Sequence, residues 1–333
     1  MTSLRHRSYL SQIRLLRQLA LGALDRYRFR GATLHFINHG ENTTFRVDTP
    51  RSGRFLLRLH RYAYHSREAL VEELAFLRRL ARHGLSVPEP MPTKSGRSLV
   101  HVSSEEIPEG RYCDLLKWVD GRFIDESVSE KHMLALGQYQ GRLRKLARGQ
   151  KVIHRRYWDA EGLVGPEGKF GSIDFLPGVT KPVQKAITRA RKETLRELLA
   201  YEARFPDRLG LIHADMHFGN FLLRRGGQIS AIDFDDCGYG FYAYELAVPL
   251  THLEHYATGK RFERLKAFLI EGYAGTASWD EHDQRILTRL FLARKLLMLG
   301  WMHSRSEIPR FRTMLPKGAA RMAERIRNGE FDG

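Results

Sequence analysis

The most informative segment of the chain reads His213-Ala214-Asp215-Met216-His217-Phe218-Gly219-Asn220. Two apolar runs flank it, Leu209–Ile212 and Phe221–Leu223, and they predict two short strands joined by this polar loop. Asp215 and Asn220 stand five residues apart in the loop. A loop of this length lets a carboxylate and an amide point into one cleft, so the segment is a candidate functional site.

The residues after the loop supply a second carboxylate. The turn Arg224-Arg225-Gly226-Gly227 folds the chain back, and Gln228–Ile232 predicts the returning strand of a hairpin with Asp233 at its end. Phosphoryl transfer needs a carboxylate to accept the proton of a hydroxyl group, and oxygen ligands for metal ions. The order Asp215, Asn220, Asp233 matches a base, an amide ligand and a metal-binding carboxylate. The Asp-to-Asn spacing is that of a protein-kinase catalytic loop.

The histidines of the segment permit a second interpretation. Alternation along a strand would place His213, Asp215 and His217 on one face, which makes a zinc cluster possible. That arrangement leaves the spacing of Asn220 and Asp233 unexplained. We therefore expect His213 to hold the backbone of the loop, and we assign it to the catalytic group together with Asp215.

The first third of the chain predicts a sheet with two helices. Ser66 is a plausible N-cap, and Leu70, Leu74 and Leu77 follow it at helical spacing. The predicted elements are a helix over 8–28, strands over 34–37, 44–47 and 55–59, a helix over 66–81, and strands over 98–102 and 112–118.

The character of the sequence changes after Gly121. Residues 149–181 are rich in Gly and Pro and predict a long irregular loop, and the chain is mostly helical from about residue 241. Further helices are predicted over 129–147, 181–204 and 281–304. The predicted fold class is therefore α+β and bilobal. Residues 1–118 form a small antiparallel-sheet lobe with one main helix, and residues 119–333 form a larger, mainly helical lobe.

The charge of the chain indicates which classes of binding partner are expected. The 333 residues carry a formal charge of +17 and a pI near 10. Attraction to a polyanion and a solvated basic surface both account for this charge. Because the basic residues are spread along the sequence without a basic tail or an interleaved aromatic stripe, we expect no nucleic-acid partner.

The sequence also indicates the cellular compartment in which the protein is expected. We find no run that approaches the roughly 18 apolar residues of a membrane span, and no apolar signal core in Met1–Leu10, so no membrane association is expected. The two cysteines, Cys113 and Cys237, are far apart and lack metal-ligand spacing. A reducing cytoplasm fits this pattern. The sequence leaves the oligomeric state open.

A family resemblance follows from these motifs. Leu211–Asn220 resembles the catalytic loop of the aminoglycoside phosphotransferase and choline kinase-like superfamily, and Ile232–Asp236 resembles its metal-binding segment. Tyr244-Glu245-Leu246-Ala247 is similar to the helix start that follows, where the family more often has Asp at the position of Glu245. The nearest subgroup contains bacterial stress-response serine/threonine kinases and type II homoserine kinases. The resemblance covers roughly residues 30–300.

The resemblance implies a protein-kinase-like fold with a nucleotide in the cleft between the lobes. It implies ATP as the phosphoryl donor and Mg2+ as the metal ion. Carried over residue by residue, it makes Asp215 the base, and Asn220 and Asp233 the magnesium ligands.

In the small lobe, the resemblance implies that Arg58 is the cation on the nucleotide phosphates and that Glu73 is its partner. Arginine suits this role because it bridges phosphate oxygens and keeps its charge. The alternative is an outward-facing strand arginine. The other implied nucleotide contacts are Gly40, Asn42 and Thr43 over the phosphates, and Lys117 and Trp118 beside the adenine.

The acceptor is defined only by class. We expect a hydroxyl of a small molecule, with a serine or threonine of a protein as the alternative. Asp-Phe-Asp replaces Asp-Phe-Gly at residues 233–235, and no Ala-Pro-Glu follows, which favours the small molecule. A non-catalytic nucleotide-binding protein would lack the base or a metal ligand, and this chain has both. The acceptor pocket is expected from residues 149–181 and the C-terminal helices, with Tyr157, Trp158, Arg294 and Trp301 as candidates.

Overall fold

A computed structural model of the protein describes residue 4 and residues 7–29, 31–125, 127–150 and 152–331. The chain divides into two compact units, one that ends at Asp120 and one that begins at Gly121. The first is built mainly of strands and the second mainly of helices, which confirms the α+β class. None of the helices in these residues combines the length and the apolar character of a bilayer-spanning segment.

The first unit is a five-stranded antiparallel sheet with two helices. The strand order is β1-β2-β3-β5-β4, so the central strand β3 lies between β2 and β5. Alternate residues of β2 are buried, as expected for a strand with one face on a core. The elements are α1 (Tyr9–Leu24), β1 (Thr33–His39), β2 (Asn42–Thr49), β3 (Gly53–His60), α2 (Arg67–Arg82), β4 (Leu99–Ser104) and β5 (Ile107–Lys117).

Helix α2 begins where the sequence predicts. The Ser66 hydroxyl accepts a hydrogen bond from the Ala69 N–H at 3.1 Å, and Glu68 in the first turn complements the helix dipole. The apolar stripe of the helix is buried, and Glu73 is buried with it. The helix therefore carries one carboxylate into the interior of the first unit.

The second unit packs seven helices around two three-stranded sheets in the described residues. One sheet has the order β10-β9-β6 and the other β7-β11-β8. The strands are β6 (Arg122–Phe123), β7 (Tyr157–Trp158), β8 (Leu209–Ile212), β9 (Phe221–Leu223), β10 (Ile229–Ala231) and β11 (Gly238–Phe241). The helices are α3 (Glu130–Ala147), α4 (Ala160–Val164), α5 (Lys181–Arg204), α6 (Tyr244–Leu253), α7 (Gly259–Ala274), α8 (Glu281–His303) and α9 (Pro309–Arg327).

The prediction of an irregular loop over 149–181 is wrong in part. Strand β7 pairs in parallel with β11, with Tyr157 opposite Tyr239, and Asp159 caps the short helix α4. The pairing brings the backbones so close that a Cβ on Gly240 would lie 2.7 Å from the Trp158 carbonyl oxygen. Two-residue strands that pair with a distant segment leave no local periodicity, so the sequence pattern did not reveal them.

Helices α3 and α7 pack closely at Gly137, and this contact predicts the effect of a substitution on stability. A Cβ added at Gly137 would lie 2.0 Å from the Leu269 carbonyl oxygen. We expect Gly137→Ala to lower the free energy of unfolding by about 1–3 kcal/mol, because one helix must shift. Gly22→Ala, also within a helix but with nothing within 4 Å, is the matched control and should raise it by about 0.5–1 kcal/mol. Urea unfolding of both variants measures the difference, and equal stabilities would contradict this packing.

Candidate active site

The candidate site lies at the end of the hairpin β9–β10 where β9 begins and β10 ends. Phe221 pairs with Ala231, and the Ile232 N–H donates to the Asn220 carbonyl oxygen at 2.9 Å. Asn220 and Asp233 therefore lie at the same end of one hairpin. Asp233 has φ of 61°, a left-handed backbone conformation that is strained for a residue with a side chain.

The carboxylate of Asp215 is held from two sides. Arg294 Nη2 donates to Asp215 Oδ1 at 2.6 Å. Asn220 Nδ2 donates to Asp215 Oδ2 at 3.2 Å and to the Asp215 carbonyl oxygen at 2.9 Å. Burial acts to raise the pKa of Asp215, but Arg294 and then His217 outweigh it, so the pKa lies below its ordinary value. The group is therefore an ionised carboxylate at neutral pH.

His213 braces the loop through both ring nitrogens. Its Nδ1 accepts a hydrogen bond from the Asp215 N–H at 3.3 Å, and its Nε2 lies 2.9 Å from the Ile232 carbonyl oxygen. A ring that accepts at Nδ1 carries its proton at Nε2, so Nε2 donates to this carbonyl. His213 thus joins the loop to the returning strand of the hairpin.

The zinc interpretation finds no support in the described part of the chain, where no group of three His, Cys, Asp or Glu side chains is arranged to hold a metal. His213 already uses both ring nitrogens in backbone hydrogen bonds. His217 uses Nδ1 to accept the Gly219 N–H at 2.9 Å, which leaves its Nε2 3.6 Å from Asp215 Oδ2.

Glu245 supports the loop from the start of α6, and its role was not predicted. Ala214 has φ of 69°, and its N–H donates to Glu245 Oε1 at 2.7 Å. Burial raises the pKa of the Glu245 carboxyl above its usual range. This hydrogen bond holds the strained residue that precedes Asp215. The signal available in the sequence was the acidic residue at the position where the resembled family more often has Asp.

Side chains from residues 149–181 hold the segment after Asp233. Arg155 Nε donates to the Cys237 carbonyl oxygen at 2.7 Å, and Trp158 Nε1 donates to the Asp236 carbonyl oxygen at 2.8 Å. Lys169 pairs with the Asp236 carboxylate, and its ammonium lies 4.4 Å from the Trp158 ring centroid. The segment expected to be irregular therefore fixes the backbone beside the metal-binding candidate.

Arg58 lies in a buried ionic cluster in the first unit. It is 3% exposed, so the outward-facing alternative is wrong. Its Nη1 donates to Glu73 Oε1 at 2.8 Å, the contact that the Glu73 prediction requires. Its Nε and Nη2 bind both oxygens of Asp114 at 2.9 and 2.8 Å, and His60 Nε2 lies 2.6 Å from Asp114 Oδ2. Asp114 and His60 were not predicted.

The other predicted nucleotide contacts lie at two places in the first unit. Gly40 and Asn42 form the turn between β1 and β2, where the Gly40 N–H donates to the Asn42 carbonyl oxygen at 3.0 Å. Thr43 is buried, and its hydroxyl lies 2.7 Å from His39 Nδ1. Lys117 ends β5 and pairs with Glu89 at 2.5 Å, and the N–H of the next residue, Trp118, donates to the Arg54 carbonyl oxygen at 3.1 Å.

A histidine below the loop gives a pH prediction. His252 Nδ1 accepts the Phe218 N–H at 3.1 Å, and burial, with His217 as the next cause, lowers the pKa of His252 from 6.5 to about 4. Between these pH values the folded protein holds fewer protons at His252 than the unfolded chain does. The free energy of unfolding should therefore fall as the pH drops through this window.

Urea unfolding across the same pH range checks this prediction. His252→Gln should flatten part of the slope, since glutamine does not titrate. The exposed His101→Gln serves as the control and should leave the slope as it is in the native chain. A native profile that is flat between the ordinary pKa of histidine and the lowered one would contradict the buried neutral state of His252.

Comparison with known proteins places the chain in a family. The sequence profile of the phosphotransferase enzyme family (APH) matches residues 33–284. The amicoumacin kinase of Bacillus subtilis (strain 168) is 25% identical over 306 residues, which cover 86% of this chain and 84% of that protein. Stress response kinase A of Escherichia coli (strain K12) is 25% identical over 283 residues, which cover 84% and 80%.

The solved structure of a microcompartment-associated aminopropanol kinase is also similar. It superposes with a TM-score of 0.82 at 28% identity and covers 95% of this chain and 98% of its own. This likeness confirms the predicted fold, that of the aminoglycoside phosphotransferase and choline kinase-like proteins, and the predicted enzyme class of kinase or phosphotransferase. The chain belongs to the phosphotransferase enzyme family.

Proposed function

We propose that the chain transfers the γ-phosphoryl group of ATP to a hydroxyl of a small-molecule acceptor. The observation that carries this proposal is that the Asn220 amide contacts the ionised Asp215, and that Asn220 and the carboxylate-bearing Asp233 lie at the same end of the hairpin β9–β10. Membership of the phosphotransferase enzyme family supports it. In the step, the bond between the γ-phosphorus and the acceptor oxygen forms, the bond to the ADP oxygen breaks, and ADP leaves.

Asp215 acts as the base that receives the hydroxyl proton. Its carboxylate has a lowered pKa, and Arg294 and Asn220 fix its orientation through hydrogen bonds to both oxygens. A fixed carboxylate within reach of the hydroxyl contributes by position as well as by proton transfer. His213 takes no proton in this scheme, because both of its ring nitrogens are committed to the backbone.

The residues present fit a magnesium ion. Mg2+ prefers oxygen ligands and is bound by one or two protein groups together with phosphates and water. Asn220 commits its amide nitrogen to Asp215, so its amide oxygen is the atom left for a cation, and Asp233 supplies a carboxylate. When bound, the metal neutralises charge on the phosphates. We assign Asn220 and Asp233 as the magnesium ligands.

The nucleotide contacts of the first unit belong to the same proposal. Arg58 is the cation for the phosphates, with Glu73 orienting it through their 2.8 Å hydrogen bond. The buried Oδ1 of Asn42 accepts no hydrogen bond from the described residues, so this side chain has an unused acceptor. The remaining proposed contacts are Gly40 and Thr43 for the phosphates, and Lys117 and Trp118 for the adenine.

Acceptor-stimulated release of ADP tests the proposed activity. The purified chain is incubated with ATP, Mg2+ and each member of a library of amino alcohols, sugars and hydroxy acids. We expect at least one hydroxyl compound to stimulate ADP release, and chelation of the metal to abolish it. Transfer to serine or threonine of an added protein, with no small molecule active, would favour the protein-kinase alternative. Absence of ATP turnover with every acceptor would contradict the proposal.

A further inference from the structure

A large cavity lies beside the proposed base, within the second unit. Its volume is about 1210 Å³, and helices α6, α7, α8 and α9 supply most of its wall. Arg294 and His217 line it, and both lie against the Asp215 carboxylate, at 2.6 and 3.6 Å. Two side chains of the cavity wall therefore contact the proposed base directly.

The size and the lining of the cavity indicate a bulky occupant. Ligand pockets commonly measure about 300–1,000 Å³, so this cavity exceeds what an amino alcohol of three carbons needs. Its apolar wall includes aromatic rings and flexible thioethers, which adapt to irregular ligands. These side chains are Phe262, Phe291, Met298, Met302 and Met322.

The carboxylates of the wall are already paired. Glu254 binds Arg325 at 2.8 Å and also pairs with Lys295. Glu330 binds Arg325 at 2.6 Å, and Glu263 lies 3.3 Å from Lys266. An ammonium group on an acceptor would therefore have to displace a cation of the protein to reach a carboxylate in the described wall.

One cation of the wall has no carboxylate partner among the described residues. Arg294 is matched by Asp215, and Lys266, Lys295 and Arg325 are matched by the glutamates. Arg321 on α9 lines the cavity, is exposed, and makes no hydrogen bond or ion pair with the described residues. Counting the lysine, arginine, aspartate and glutamate side chains of the wall together with Asp215, the net charge is therefore positive, and it resides at Arg321.

We infer that the acceptor is a bulky amphipathic hydroxy compound with an anionic group. Its apolar body lies among α6–α9, its hydroxyl reaches Asp215, and its carboxylate, sulfonate or phosphate pairs with Arg321. This inference rests on the proposed function, which supplies the role of Asp215. By its size and by the charge of its wall, the cavity differs from one that would bind a small cationic amino alcohol.

Three fluorescent probes with one hydroxyl and one aromatic body test the inference. N-dansyl-serine is anionic, N-dansyl-serinamide is neutral, and the 2-aminoethylamide of N-dansyl-serine is cationic. Their binding is measured by the change in dansyl emission. We expect the anionic probe to bind about fivefold more tightly than the neutral one, because one unpaired charge acts on it at the surface. The cationic probe should bind most weakly, and 1-amino-2-propanol should not displace the anionic probe.

Two charge reversals on one helix locate the effect. Arg321→Glu should remove the preference for the anionic probe, while Arg312→Glu, another exposed position of α9 that lies outside the cavity wall, should preserve it. Equal effects of the two variants, tightest binding of the cationic probe, or no binding of any probe would overturn the inference.

Phosphoryl transfer from ATP to N-dansyl-serine is scored separately by chromatography of the dansyl product. Transfer that depends on Asp215 supports the role of the cavity as the acceptor site. If the order of binding holds but no hydroxyl compound is phosphorylated, the proposed function is contradicted, and the acceptor role of the cavity falls with it. If transfer occurs and the charge preference does not, the proposed function stands and the inference about the acceptor is wrong.

Discussion

Asp215→Asn is expected to lower kcat for phosphoryl transfer by about 10²–10⁴-fold, the range that a positioned general base contributes. The asparagine oxygen still accepts the hydrogen bond of Arg294, so the side chain at position 215 keeps that partner. The amide does not accept the proton of the acceptor hydroxyl at neutral pH, because it is not basic. The loss should therefore lie in kcat, with little change in the KM for ATP.

Asp207→Asn is the matched control for this variant. Asp207 is an exposed aspartate of the same unit, outside the loop and the hairpin, and its replacement removes the same charge. We expect its kcat to equal that of the native chain. Steady-state kinetics of both variants, with unfolding curves to show that both are folded, decide the matter. Equal kcat for Asp215→Asn and the native chain would contradict the role of Asp215 as the base.

Arg58→Met is expected to give the largest loss of stability in the first unit. The guanidinium donates to Glu73 and to both oxygens of Asp114, and both carboxylates are fully buried. Removing one partner of a buried ionic group costs about 3–5 kcal/mol, because the buried carboxylates lose the guanidinium that neutralises them. Methionine preserves most of the side-chain volume, so the loss reports on charge. ATP binding should weaken in the same variant.

The control for Arg58 lies on the same strand. Arg54 also belongs to β3, but it is half exposed and its partner Asp120 is exposed as well. An exposed ion pair contributes about 0–1 kcal/mol, so Arg54→Met should unfold almost as the native chain does. Thermal and urea unfolding of the two variants measure the contrast. If Arg58→Met is as stable as Arg54→Met, the buried cluster does not stabilise the first unit.

The parts of the site that the sequence could reveal are local. Asp215 and Asn220 lie in one loop, and Asp233 ends the hairpin that follows it, so strand patterns were enough to predict that Asn220 and Asp233 lie at one end of that hairpin. The Arg58–Glu73 contact bridges only 15 residues and joins a strand to the next helix. In the first unit, Arg58 is hydrogen-bonded to Glu73. In the second unit, Asn220 is hydrogen-bonded to Asp215 and lies at the end of the hairpin.

The parts that the sequence did not reveal are non-local. Three hydrogen bonds of the site join residues that are far apart in the sequence. The separation is 56 residues for Arg58 and Asp114, 31 for Ala214 and Glu245, and 79 for Asp215 and Arg294. Each contact depends on how separate elements pack, and no periodicity or spacing encodes it. Arg294 was predicted only as a candidate of the acceptor pocket, without its ion pair.

The segment 149–181 shows a second limit. Its Gly and Pro content predicted irregular structure. In the structure, however, Lys169 from this segment forms an ion pair with Asp236, and the Lys169 ammonium lies over the Trp158 ring. Burial acts to lower the pKa of Lys169, and the Asp236 carboxylate opposes this effect. Turn-forming residues describe the backbone of such a segment, whereas its side-chain contacts depend on the sheet and hairpin that it covers.

Mass spectrometry of the acceptor after reaction with ATP shows whether the γ-phosphoryl group is transferred to the hydroxyl and whether the transfer depends on Asp215. ATP labelled with ¹⁸O on its γ-phosphate is incubated with an active acceptor, Mg2+, and either the native chain, Asp207→Asn or Asp215→Asn. We expect a labelled phosphate ester on the acceptor hydroxyl with the native chain and with Asp207→Asn, and almost none with Asp215→Asn. Equal labelling by all three proteins, or label found only in free phosphate, would contradict this expectation.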